Sequence, residues 1–376
     1  MEDLAGKNVK LPQFKHNISE ISNEVMAAFG QRTGKLVKGE YEKVILLVMD
    51  GLGHKNLVDR GLINGLGLKS HELGSVIPSS TPAALASIFT GKPPAEHGIF
   101  GFTFFLPEIG RFNPFEFTDS FGDYVDLGSH HILKGETIFQ KLKQHKVKSQ
   151  HLLRYGISNT PFTHRLSEGA EVVPFSAYGH LLEKLKEGIT SRGKKFMLAY
   201  LETPDNLLHG GGEQYAYQTE LSLVLNLIAK LRDEKNADKT LFILTADHGH
   251  IPITYKRANI RENWLSAPVA GGDRHMMLNV VPKFRQKIIH TLSKTSYVFE
   301  GADFMRSGLM GQSFDEDFMG RIPDLISFAH SKYTPFIGES AGFASCHGGL
   351  SYEEMSTFFG TSLLSDFEPE LKFLKK

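Results

Sequence analysis

Cysteine is nearly absent: Cys346 is the only one among 376 residues. One thiol excludes an intrachain disulfide and a thiolate metal cluster, so any metal must be held by His, Asp and Glu. An excess of charge of one sign is missing too, with 42 Lys and Arg against 42 Asp and Glu. Binding to a nucleic-acid scaffold by bulk electrostatics normally needs a basic excess, so that class is set aside; a small phosphorylated substrate held by cations is not. Long hydrophobic runs are also lacking. The longest near the start, Val44–Met49, falls far short of the ~18–20 residues that cross a bilayer, and Met1–Asn17 has no continuous apolar stretch of the signal-peptide kind. The expectation is a soluble, cytoplasmic protein without a membrane partner.

What is present is globular. A hydrophobic fraction of 41% with 22% charged residues excludes wholesale disorder, and the length suits two domains or one large α/β domain with an insertion. Three apolar runs, Val44–Met49, Phe196–Leu201 and Leu241–Thr245, have the compactness of buried parallel strands. Between and around them, Glu136–His145, His180–Thr190 and Glu213–Leu231 space apolar residues three and four apart, as helices do. Such alternation predicts a mostly parallel central sheet with helices on both faces. From 251 to 340 the pattern changes to short strand-like pieces, Met277–Val281 and Tyr297–Glu300, around a helical Lys283–Leu292. This segment reads as a small inserted cap, leaving 1–250 and 341–376 as the core.

Each of the three runs leads into a carboxylate: Asp50, Asp205 and Asp247. Open α/β sheets bind ligands beyond the carboxyl ends of their strands, although any one such Asp is more often a turn residue. Asp205-Asn206-Leu207-Leu208-His209 puts carboxylate and imidazole on one helical face, and Asp247-His248-Gly249-His250 places a pair at a strand end where Gly249 permits a sharp turn. Cys346-His347-Gly348-Gly349 adds an imidazole before paired glycines; Cys346 itself reads as a small buried apolar residue. In the run Ser79-Ser80-Thr81-Pro82-Ala83-Ala84-Leu85, Thr81 reads as an N-cap and Pro82 as the first helical residue. Free N–H groups and the helix dipole there favour an anion. Two motifs are decoys. Asp50-Gly51-Leu52-Gly53 lacks the third glycine of a dinucleotide turn, since Asn56 stands in its place. Gly338-Glu339-Ser340-Ala341-Gly342 matches a serine nucleophile elbow, but too little chain follows for the acid and the histidine.

In this order the pieces resemble the type I phosphodiesterase/nucleotide pyrophosphatase family of the alkaline phosphatase superfamily. The matching residues are VILLVMDGLG, SSTPAALASIFTGKPPAEHGI, LETPDNLLH, TADHGH and CHGG, spread from about Val44 to Gly349. The resemblance implies two divalent ions, zinc by preference. Asp205, His209 and His347 would hold one; Asp50, Asp247, His248 and the Thr81 hydroxyl would hold the other. It implies hydrolysis of a phosphodiester or pyrophosphate bond of a nucleotide-type substrate, with Thr81 as nucleophile of a covalent phospho-enzyme. Alternatives are a phosphomonoesterase or phosphonate hydrolase, a metal-dependent phosphomutase, and a degenerate member that only binds its ligand. The chain departs from the family at Phe102, where better-known members carry an Asn that donates to a phosphoryl oxygen. Stand-ins would be the N–H groups at the Thr81 helix, Asn113, or Arg274 and His275. Eight phenylalanines between Phe100 and Phe121 would wall an apolar pocket or simply pack on the core.

Overall fold

Each of the three apolar runs is a strand, and each is buried on both faces because helices cover the sheet above and below. The computed structural model describes residues 9–13, 15–126, 132–212 and 214–371. The main sheet takes its first six strands from β1 (Lys43–Met49), β2 (Lys69–Gly74), β3 (Lys148–Arg154), β4 (Glu171–Phe175), β5 (Lys195–Leu201) and β6 (Thr240–Thr245). The chain then builds β7 (Ala270–Gly271), β8 (His275–Leu278), β9 (Ser296–Glu300) and β10 (Leu325–Ala329), and returns as β11 (Ser356–Leu363). The main sheet has the order β2-β11-β6-β1-β5-β3-β4. From β6 to β4 all neighbours are parallel, while β11 runs antiparallel to both β6 and β2.

Period-two alternation divides β1 between two cores. Val44, Leu46 and Val48 enter one; Ile45, Leu47 and Met49 enter the other. The helices that matter for the site are α1 (Thr81–Thr90), α2 (Ile138–Gln144), α3 (Tyr178–Thr190), α4 (Thr203–His209), α5 (Gln214–Ala229) and α6 (Arg285–Leu292). The predicted helix over 136–145 begins later, because Thr137 and Gln140 form a reciprocal capping box that leaves Glu136 outside. Glu213, predicted to open the fifth helix, lies outside the described residues. No described helix is long and apolar enough to cross a membrane.

Strands β7 to β10 form an antiparallel sheet in the order β7-β8-β10-β9. Its inner face, with Met277, Ile326 and Phe328, joins the same core as Val44 and Leu46. Its outer face, with Met276, Leu278 and Leu325, is covered by Trp264 and by Ile288 and Leu292 of α6. One buried ion pair bolts this sheet to the main body. Arg274, 1% exposed, donates from Nε to Glu354 Oε1 at 2.8 Å and from Nη2 to Oε2 at 3.0 Å. Its other donors reach Tyr333 O and Thr334 Oγ1, both at 3.3 Å. Glu354 in turn accepts from Gly349 N–H at 2.7 Å, and its carbonyl accepts from Gly249 N–H at 2.9 Å.

Removing one member of such a pair leaves an uncompensated buried charge, which costs about 3–5 kcal/mol. Arg274→Ala should therefore lower the unfolding free energy by about that amount, measured by urea denaturation. A loss no larger than that of an exposed surface change would show that the pair does not anchor the second sheet.

Candidate active site

The carboxyl ends of β1, β5 and β6 converge on one place. Asp50 follows β1 directly, Asp205 lies in α4 just beyond β5, and Asp247 with His248 leaves β6. His347 follows the short strand Ser345–Cys346, which pairs antiparallel with Ile251–Pro252. The turns are close-set. A Cβ on Gly249 would stand 2.1 Å from Glu353 O, so only glycine lets the 247–250 turn pass there. Asn56 ties that turn to the chain after β1, donating to His250 O and accepting from His250 N–H, each at 2.9 Å. The residue that spoils the dinucleotide motif is thus the one that holds the strand-end turn.

Around His248 three oxygens gather. Its Nε2 is 3.3 Å from Asp50 Oδ1, 3.3 Å from Asp247 Oδ2 and 3.1 Å from Thr81 Oγ1. The other oxygen of each carboxylate is already used: Tyr200 donates its hydroxyl to Asp50 Oδ2, and Gly51 and His248 N–H donate to Asp247 Oδ1. Around Asp205 Oδ1 three imidazoles gather: His250 Nε2 at 2.6 Å, His209 Nε2 at 3.4 Å and His347 Nε2 at 3.6 Å. The rings of His248 and His347 stack at 3.6 Å, joining the two groups into one centre.

The hydrogen bonds on the far side of each ring fix the tautomers. His209 Nδ1 faces Ser345 O at 2.9 Å, His347 Nδ1 faces Ser79 O at 3.0 Å, and His248 Nδ1 faces Gly249 O at 3.3 Å. A carbonyl only accepts, so each Nδ1 carries its proton and, in the neutral ring, each Nε2 is a bare lone pair. His250 follows the same polarity. Its Nδ1 lies 3.1 Å from Ser345 Oγ, whose own proton goes to Leu208 O at 2.8 Å. Four lone pairs therefore point inward at carboxylate oxygens, and buried Asp50 Oδ1 and Asp247 Oδ2 have no hydrogen-bond donor. This arrangement repels itself unless cations or protons stand between the groups. It fits a pair of divalent ions, because outward Nδ1–H bonds with inward Nε2 are how protein imidazoles are set to bind metals. Ligand atoms of Asp50, Asp247 and His248 lie within 4.8 Å of one another, as do those of Asp205, His248, His250 and His347.

The charges respond accordingly. Burial, with the adjacent carboxylates, pushes Asp50 well up, and burial pushes Asp247 up to about 7. Burial likewise pushes His347 down to about 4 and His248 well below its ordinary value. Without cations, Asp50, Asp247, His248 and His347 are all driven toward their neutral forms.

All seven residues singled out in the sequence, Asp50, Thr81, Asp205, His209, Asp247, His248 and His347, meet here. His250 was passed over, although it stands two residues after His248 in the same motif and makes the shortest contact to Asp205. Thr81 is not the N-cap: Ser80 takes that place with extended backbone and no side-chain cap bond, and Thr81 is the first helical residue. Among the stand-ins for the missing Asn, Arg274 is consumed by Glu354, and Asn113 Oδ1 accepts from Phe115 N–H at 3.0 Å. His275 is buried with neither ring nitrogen partnered, its Nδ1 only 2.9 Å from where a Cβ on Gly348 would lie. Phe102 is 45% exposed. Cys346 is buried, and burial holds its thiol well above the ordinary range, so it is inert. A strand, Tyr333–Phe336, does precede Ser340, but irregular chain and not the helix of a nucleophile elbow follows it.

A family model of type I phosphodiesterase / nucleotide pyrophosphatase matches residues 44–332. The chain belongs to that family. It is thereby a hydrolase of phosphoester bonds, and its fold is that of the alkaline phosphatase-like proteins. No curated protein matches the sequence. Similar solved structures include murine ectonucleotide pyrophosphatase/phosphodiesterase 5, at 14% identity and a TM-score of 0.66 over 85% of this chain and 87% of that one. The human protein of the same name gives 15% and 0.65 over the same shares. Phosphonoacetate hydrolase from Sinorhizobium meliloti 1021, in complex with phosphonoformate, gives 17% and 0.61 over 88% and 92%. At these identities the likeness is one of fold.

Cation binding should be linked to protons in a definite direction. With burial raising Asp247 to about 7, more of it carries a proton at pH 6 than at pH 8 in the cation-free protein, and a bound cation must expel that proton. His209 adds to the same sign, since Asp205 more than offsets the lowering by burial and raises its ring. Affinity for a divalent cation should rise from pH 6 to pH 8. Calorimetry in buffers of different ionisation enthalpy should show more proton release at pH 6, reduced by about one proton in Asp247→Asn. Equal release at both pH values would contradict the assignment of Asp247 as a ligand.

Proposed function

We propose that this protein is a dimetal hydrolase of phosphodiester or pyrophosphate bonds in nucleotide-type substrates, with Thr81 as nucleophile and zinc as the preferred ion. The observation that carries this reading is the position of Thr81 Oγ1, 3.1 Å from His248 Nε2 at the first residue of α1. Asp50, Asp247 and His248 would hold one ion; Asp205, His209 and His347 would hold the other, with His250 against Asp205. Carboxylate and imidazole donors suit Zn²⁺. Bound in that set, two divalent ions supply Lewis acidity and neutralise charge on the attacking and leaving oxygens.

The chain's own residues do the rest. The start of α1 points free backbone N–H groups and its dipole at the phosphoryl oxygens. Thr81 Oγ1 forms a bond to phosphorus as the ester oxygen leaves; water then cleaves the threonyl phosphate and restores the hydroxyl, so one water is consumed overall. Tyr200 holds Asp50 through Oδ2, and Ser345 orients both His209 and His250. A murine relative with one threonine changed to alanine is described as inactive and in complex with AMP, which supports a threonine nucleophile and a nucleotide ligand. Phe102 offers no hydrogen bond where the family Asn would donate. A singly charged diester tolerates that loss better than a dianionic monoester, whose additional charged oxygen needs more donors.

With zinc-loaded protein, bis-p-nitrophenyl phosphate should exceed p-nitrophenyl phosphate in kcat/KM; a tenfold preference for the monoester would make the protein a phosphatase instead. Thr81→Ala should abolish turnover and keep most zinc affinity, Thr81→Ser should retain activity, and Ser80→Ala should stay active. Turnover by Thr81→Ala within tenfold of the parent would exclude the covalent route.

A further inference from the structure

Behind the Thr81 helix lies an apolar cavity of about 320 Å³, walled by Leu85, Phe89, Phe115, Leu153, Ile157 and Phe162. It adjoins the reacting end of the site on two sides. Leu85 is four residues after Thr81, hence directly below it on one helical face, and helical side chains lean toward the helix start. Tyr200 forms another part of the wall, and its hydroxyl is the donor to Asp50.

We propose that this cavity receives the organic group of the phosphoester, and that the group is uncharged, largely apolar and aryl-sized. This deepens the function proposed above and rests on it. Phe115 and Phe162 meet edge to face at 5.3 Å and 76°, and Phe89 lies against His151 at 5.0 Å, a setting that suits another ring. His151, 2% exposed, is held in the wall by its bond from Nδ1 to Ser167 Oγ at 2.7 Å. Glu202 at the same wall is paired through Oε1 with Arg154 at 3.1 Å. Among the described residues no Lys or Arg lines the cavity, and Glu116 and Glu202 are its only charged side chains. A second phosphate group would meet repulsion there without a counter-charge, so the occupant is not the remainder of a nucleoside polyphosphate chain.

The test compares phenyl p-nitrophenyl phosphate with methyl p-nitrophenyl phosphate in the zinc-loaded full chain. The parent should favour the phenyl ester in kcat/KM by tenfold or more. In Ile157→Trp and, independently, Thr160→Trp, which fill the cavity from its half-exposed wall, that ratio should fall by at least tenfold. A ratio unchanged in both folded variants overturns the proposal. If the parent cleaves neither ester, the proposed function has failed on its own terms. The cavity is then read by saturation-transfer NMR with benzyl alcohol, which carries no phosphate. Binding that is lost in Ile157→Trp supports the cavity as an aryl site; no binding to the parent at millimolar concentration overturns it.

Discussion

Two carboxylate oxygens, Asp50 Oδ1 and Asp247 Oδ2, are buried without a donor, each 3.3 Å from an imidazole lone pair. Much of the surrounding structure serves to keep that unfavourable meeting in place. Left alone it would relax by protonation, as the raised Asp50 and Asp247 show, or by the side chains swinging apart. Outward hydrogen bonds prevent the second outcome. Backbone carbonyls of Ser79, Gly249 and Ser345 hold three rings by Nδ1, and Tyr200 holds Asp50 from behind. The centre is thus arranged in advance for positive charge, at the expense of the protein's own stability.

The restraint extends well beyond the ligands. Glu354 contacts both ligand-bearing turns, through its carbonyl at Gly249 and its carboxylate at Gly349, and Arg274 connects that point to the second sheet. The segment 251–340 is therefore part of what fixes the position of His347. A rigid scaffold with the reacting groups at its strand ends is the arrangement by which α/β sheets separate stability from chemistry.

The phenylalanine-rich segment shows how one composition serves different ends. Phe100, Phe104, Phe105, Phe112 and Phe117 are buried in the main core, whereas Phe115 turns to the cavity beside the Thr81 helix. Phe102 lines a separate cleft near Gly272 and Asp273, and Phe121 is 88% exposed. Nothing in residue type or spacing distinguishes these fates, because the segment makes only a short hairpin, 104–106 with 110–112, followed by irregular chain.

The sequence by itself determined the central strands and the convergence of their carboxylates. A strand buried on both faces must be apolar throughout, and a run such as VILLVM has few other uses. β3 and the edge strand β4 were not legible, since Gln150, His151 and Pro174 interrupt the apolar pattern toward the margin of the sheet. The seven candidate residues could be picked out from motifs because carboxylates and imidazoles at strand ends are local signals. Which imidazole lies nearest Asp205 was not local. His209, at i,i+4 in the same helix, is the sequence's choice, yet His250 comes closer because Asn56 and Ser345 from distant segments turn it inward. The cap of α1 is a similar case: Thr81 and Ser80 both suit an N-cap, and the backbone of the folded loop assigned it to Ser80. Contacts between residues far apart in the chain, 80 apart for Arg274 and Glu354, set ring orientation, cavity shape and the second sheet's anchor, and only the tertiary structure could decide them.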